Sequence, residues 1–84
     1  MNYQVQILRR AQRDLARLPK QEYEQVRDAI QALGDDPRPS GCKKLTGREG
    51  WRIRIGPFRV IYEIEDVIRV VTVLDIGHRR DIYR

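Results

Sequence analysis

Tyr3, Val5 and Ile7 are separated by Gln4 and Gln6, the period-two signature of a half-buried strand. The period then lengthens. Leu8, Ala11, Leu15 and Leu18 recur at helical spacing with Arg and Asp between them, which predicts a first helix over about Arg9 to Leu18. Pro19 interrupts it, because the residue before a proline avoids helical geometry. A second helix follows, with Tyr23, Val26, Ile30 and Leu33 on one face. Gly34 is expected to cap it in the left-handed conformation. Two successive amphipathic helices suggest a helical hairpin packed on a sheet. The stretch DDPRPSG, residues 35–41, reads as a loop.

Period two then returns. Trp51, Ile53 and Ile55 alternate with Arg52 and Arg54, and Phe58, Val60, Tyr62 and Ile64 alternate with Arg59, Ile61 and Glu63. Both segments are expected strands. Gly56-Pro57 between them suits a tight hairpin, since glycine supplies a positive φ and proline fixes its own. A last strand is expected from about Val67 to Asp75, apolar on both faces as a central strand is. The order is β-α-α-β-β-β. It defines an α+β fold, a small antiparallel sheet with an N-terminal helical hairpin.

Composition sharpens this picture. A chain of 84 residues is expected to form one domain, residues 1–84. The single cysteine, Cys42, excludes an internal disulfide and fits a reducing cytosol. No N-terminal apolar segment resembles a signal peptide, and the longest apolar stretch is too short to span a membrane. The expected location is cytoplasmic. Net charge is +5 with pI near 9.9, and Arg greatly outnumbers Lys. Arginine binds phosphate through a planar fork, so the balance points to a polyanionic partner: nucleic acid or an acidic protein.

The hairpin register places the charge. A two-residue loop sets Ile55 against Phe58, Arg54 against Arg59, Ile53 against Val60 and Trp51 against Tyr62. Opposed side chains share a face. Trp51, Ile53, Ile55, Phe58, Val60 and Tyr62 then form one apolar face, and Arg52, Arg54 and Arg59 lie on the other. Opposed like charges cost a few tenths to about 1 kcal/mol. An anion bridging the arginines resolves this, and backbone phosphates fit; the alternative is three arginines fanning into solvent. Glu63 shares their face, as a candidate base or, more simply, a salt-bridge partner. Arg10, Arg13 and Arg17 on the first helix read as a solvated face or a secondary RNA surface, and Lys43 and Lys44 pose the same choice.

The N-terminal pattern, the loop DDPRPSGCKKLTG, the strand pair WRIRIGPFRVIYEIED and the ending IGHRRDIYR resemble the RelE branch of the RelE/ParE toxin superfamily, over nearly the whole chain. The resemblance implies the toxin of a type II toxin–antitoxin system. Its expected activity is ribosome-dependent, metal-independent endoribonuclease cleavage of mRNA in the A site, with no cofactor. By resemblance the catalytic set falls on Arg52, Arg54, Arg59, Arg79 and Tyr83. Lys43, Lys44 and Arg80 are further RNA-binding candidates. Fixed guanidinium groups suit a reaction that gathers negative charge on phosphorus. Family members with lysine at the two strand positions have a candidate general base there, whereas Arg52 and Arg54 stay protonated. His78 is the only imidazole, and its intrinsic pKa suits proton transfer near neutrality. Either His78 or Tyr83 handles the proton, or the reaction runs mainly on charge stabilisation; His78 is otherwise a polar residue closing the last strand.

The expected partners are an acidic, RelB-like antitoxin in a hetero-oligomer, mRNA and the ribosomal A site, with no membrane. Two other readings share these residues. ParE-like toxins use this fold to poison DNA gyrase, and fold alone does not choose between them. An inactive RNA-binding or protein-interaction module predicts affinity without new RNA ends.

Overall fold

The structure, a computed structural model, describes residues 2–78. Its elements are β1 (Gln4–Ile7), α1 (Arg9–Ala16), α2 (Lys20–Ala32), β2 (Lys43–Lys44), β3 (Trp51–Ile55), β4 (Phe58–Glu65) and β5 (Val70–His78). They form one five-stranded sheet in the order β1-β5-β4-β3-β2. Both helices precede the meander, as the alternating periods predict.

The sheet is mixed rather than wholly antiparallel. β1 pairs in parallel with β5, from Gln4 opposite Val70 to Ile7 opposite Val73, while β2, β3, β4 and β5 pair antiparallel in succession. The helical hairpin and strands β2 to β4 all lie between these two strands, a long excursion of the kind a parallel pair needs. β2 has no counterpart in the sequence pattern. It is two residues long, too short to show alternation, and it forms because Lys43 and Lys44 pair with Arg52 and Trp51. A Leu45 N–H to Gly50 carbonyl hydrogen bond of 2.9 Å closes the loop between them.

Helices and sheet bury one shared core. Ala11 and Leu15 of α1, Val26 and Ile30 of α2, and Leu33 pack on Ile53, Val60, Tyr62, Val71, Val73 and Ile76. Fully burying a large aliphatic side chain contributes about 1.5–3 kcal/mol, so this layer provides most of the stability. Pro19 ends the first helical run and serves as N-cap of α2, its carbonyl accepting from Tyr23 N–H at 2.8 Å. Tyr62 is fully buried, and its hydroxyl donates to the Pro37 carbonyl at 2.7 Å. That bond fastens the loop after α2 to the sheet.

Gly34 takes a different part from the one the sequence suggests. Leu33 is the C-cap of α2 with ordinary helical dihedrals, and Gly34 has no positive φ. Its lack of a side chain matters because β1 passes close by. Tyr3 N–H donates to the Gly34 carbonyl at 2.7 Å, and a Cβ there would stand 3.1 Å from the Tyr3 carbonyl oxygen. β5 also differs: it begins at Val70, not Val67, and runs on to His78. Val67 and Ile68 are exposed in the turn between β4 and β5. Arg69 closes that turn with φ 58°. Asp66 anchors it by accepting from Arg38 at 3.0 Å and from the Tyr3 hydroxyl at 2.6 Å. Among the described residues no helix is long and apolar enough to cross a membrane.

Candidate nucleic-acid interface

The β3–β4 hairpin builds the candidate site. Its register is the one the two-residue turn dictates: Ile55 opposite Phe58, Arg54 opposite Arg59, Ile53 opposite Val60 and Trp51 opposite Tyr62. Gly56 takes the positive φ, 59°. Val60, Tyr62 and Ile53 face the helices; Arg52, Arg54 and Arg59 therefore lie on the face opposite α1 and α2.

That face holds two cationic rows. Lys43 stands opposite Arg52, which stands opposite Ile61. Two residues further along β3, Arg54 stands opposite Arg59, with Gly77 beyond it on β5. Arg54 is exposed, and Arg52 and Arg59 are half-buried. Among the described residues Arg52 and Arg54 have no carboxylate partner. The two rows stand two residues apart along β3, so an extended polyanion can pass from one to the other along the strand.

Glu63 does not form the salt bridge the sequence suggests. It stands opposite Thr72, further along β4 from Arg59, is exposed, and makes no ion pair among the described residues. Ile61 is a surprise of the opposite kind, only 2% exposed on the charged face.

Lys44 is directed elsewhere. It stands opposite Trp51, and its ammonium lies 5.4 Å from the centroid of that ring. Arg38 also stacks on Trp51, at 5.1 Å, while its guanidinium and the Tyr3 hydroxyl hold the Asp66 carboxyl below its ordinary pKa. His78 stands opposite Phe58 and meets its ring edge-on, 6.0 Å between centroids. That register sets it on the Phe58 face, across the sheet from Arg54 and Arg59, beside a groove lined by Asp14, Arg17 and Leu18. Arg79, Arg80 and Tyr83 lie outside the described residues.

Arg48 escaped the sequence reading. It sits in the β2–β3 loop and lines a basic pocket with Lys43 and Arg52. A cation between Gly47 and Gly50, just before an alternating arginine strand, is the signal that marks it. A second groove of about 480 Å³ runs along the β3 edge between α2 and residues 39–41, with Ala29 and Ala32 on one side and Ile53 and Ile55 on the other.

Known proteins resemble this chain over nearly its whole length. The family model described as ParE toxin of type II toxin-antitoxin system, parDE, matches residues 5–83. The putative toxin RelE1 of Methanocaldococcus jannaschii is 32% identical over 100% of this chain and 98% of its own. Toxin RelG of Mycobacterium tuberculosis is 36% identical over 100% and 99%. Among solved structures, the archaeal RelE–RelB complex from Pyrococcus horikoshii superposes with a TM-score of 0.85 at 29% identity, covering 96% of this chain and 99% of that one. The toxin–antitoxin complex RelBE2 from Mycobacterium tuberculosis gives 0.82 at 30% identity, covering 96% and 95%.

Proposed function

The chain belongs to the RelE/ParE family of type II toxin–antitoxin toxins, and from that premise we propose that it is a metal-independent endoribonuclease that cuts mRNA in the ribosomal A site. One observation carries the reading: Arg54 stands directly opposite Arg59, beside Arg52, on the sheet face opposite α1 and α2. Like charges so placed are unfavourable by themselves, and they suit a phosphate.

In the proposed reaction the 2′-hydroxyl oxygen of one nucleotide forms a bond to the phosphorus on its own 3′ side. The bond from that phosphorus to the next 5′-oxygen breaks. The 2′ proton is lost, the departing 5′-oxygen gains one, and the products are a cyclic phosphate and a 5′-hydroxyl end. Arg54 and Arg59 stabilise the charge on the pentacoordinate phosphorus, and Arg52 orients the strand. Removing one such fixed donor costs about a hundredfold to a thousandfold in rate. Arginine does not release its proton at neutral pH, and His78 stands on the opposite face. Charge stabilisation therefore carries the chemistry, with Arg79 and Tyr83 as the remaining candidates for holding the phosphate and relaying a proton.

The proposed partner is an acidic antitoxin, as the RelE–RelB complexes of the structural neighbours suggest. Beyond β2, the outer edge of β3 has no partner strand among the described residues. The cations Lys43, Arg52 and Arg54 line the groove beside it, so an acidic, partly apolar segment there covers the arginines.

The matching family model is described as a ParE toxin, and the ParE branch carries the second reading, a poison of DNA gyrase. Parallel assays separate the two. The purified protein added to cell-free translation of a preformed message is expected to stop protein synthesis while gyrase supercoiling proceeds. Inhibited supercoiling with unimpaired translation supports the gyrase reading instead.

A further inference from the structure

The β2–β3 loop encloses a pocket of about 380 Å³ on the arginine face. Lys43, Arg48 and Arg52 bring cations to it from β2, the loop and β3. Leu45 and Ile61 give it an apolar floor, Thr46 adds a hydroxyl, and among the described residues no carboxylate lines it. Lys44 also borders it but sends its ammonium to the Trp51 ring. Lys43, Arg48 and Arg52 have no carboxylate partner among the described residues.

The loop is held in shape. Leu45 and Gly50 are joined by the 2.9 Å backbone bond, and Gly50 has φ 123°, a conformation that side chains rarely adopt. Its α-carbon also lies tight against its surroundings: a Cβ there would be 3.2 Å from Leu45 Cδ1 and 3.3 Å from the Tyr62 carbonyl oxygen. Arg48 therefore hangs from a fixed loop rather than a loose one.

Spacing links the pocket to the proposed scissile position. Arg52 lines the pocket and Arg54 lies two residues on. At 3.3 Å per residue that is about 6.6 Å, the span of one nucleotide step along an extended strand. We infer that this pocket is a nucleotide subsite: it seats the neighbour of the nucleotide whose phosphate Arg54 and Arg59 hold, with its phosphate on Arg48 and Lys43 and its sugar or base against Leu45 and Ile61. The inference rests on the reading that the arginine rows bind RNA. Arg48 is on this account a binding residue, away from the reacting atoms.

The test uses a labelled, 2′-O-methylated single-stranded RNA hexamer, which lacks the attacking hydroxyl and is not cut. Arg48→Gln is expected to weaken its binding about tenfold and to lower the slope of log affinity against log salt by about one, with Arg48→Glu weakening it further. Lys20→Gln, at the exposed start of α2, serves as the surface control and leaves both unchanged. In ribosome-dependent cleavage Arg48→Gln raises KM and keeps kcat, the signature of lost uniform binding. Thermal melts check that the exposed substitution leaves the fold intact. Unchanged hexamer affinity in Arg48→Gln, with binding lost in Arg54→Ala, overturns the subsite and leaves the arginine reading standing. If Arg54→Ala also binds normally, both fail. If Arg48→Gln binds RNA normally but loses affinity for polyglutamate, the pocket serves an acidic protein and the nucleotide assignment is overturned.

Discussion

Tyr62 ties the helix–sheet core to the loop after α2 through one side chain. Its ring fills the core, and its hydroxyl holds the Pro37 carbonyl. Burial, reinforced by Cys42, raises its pKa well above that of an ordinary tyrosine. A raised folded-state pKa contributes stability that is present below the ordinary value of about 10 and is lost as pH climbs past it. Urea midpoints are therefore expected to fall steeply above about pH 10, and less steeply in Tyr62→Phe. At neutral pH that variant is expected to lose about 1–2 kcal/mol, because the Pro37 carbonyl is left without its donor. An identical alkaline profile in both proteins contradicts the assignment. His78→Gln is a second single-residue test. It is expected to keep cleavage within about threefold, far from the hundredfold-or-greater loss typical of a deleted general base. The sequence singled out His78 by its intrinsic pKa, a property that says nothing of the face it occupies; only the Phe58 pairing shows that.

Secondary-structure elements were legible wherever period and turn chemistry agreed. Gly56-Pro57 leaves a single register for β3 and β4, and that register fixes which arginines stand opposite each other. The start of β5 was not legible. Val67 and Ile68 continue an apolar run in the sequence but sit exposed in a turn held by Asp66, Arg38 and Tyr3. Those contacts join residues far apart in sequence, which periodicity does not sense. β2 was invisible for a related reason: a pair of lysines becomes a strand only when β3 is beside it. Gly34 looked like a helix cap, and its actual constraint comes from β1 passing close to it. Gly34→Ala is expected to destabilise the protein by about 1–3 kcal/mol through overpacking at the α2–β1 contact. Urea denaturation measures this. An unchanged midpoint shows that β1 gives way freely and that the contact is not tight.

Net charge and fold act together across the protein. The excess of +5 is not spread evenly, since one sheet face collects Lys43, Arg52, Arg54 and Arg59 while the other packs the helices. Such a face draws polyanions from a distance, and salt screens it. On the proposed function, an acidic antitoxin placed on it would block RNA directly. Coexpression from the native operon is expected to yield a complex that leaves messages intact, with cutting restored once the antitoxin is removed. An antitoxin complex that still cuts messages places the partner on another surface. Composition and the hairpin pattern made the cationic face readable from the sequence alone. The pocket around Arg48 was hidden because a loop, rather than a periodic element, presents it.

The most direct measurement is primer extension on a message translated in a reconstituted system, with wild type and Arg59→Ala side by side. Codon-phased breaks that require ribosomes and fall at least a hundredfold in the variant are expected. Intact message with wild-type protein, or equal breaks from both proteins, contradicts the proposed function.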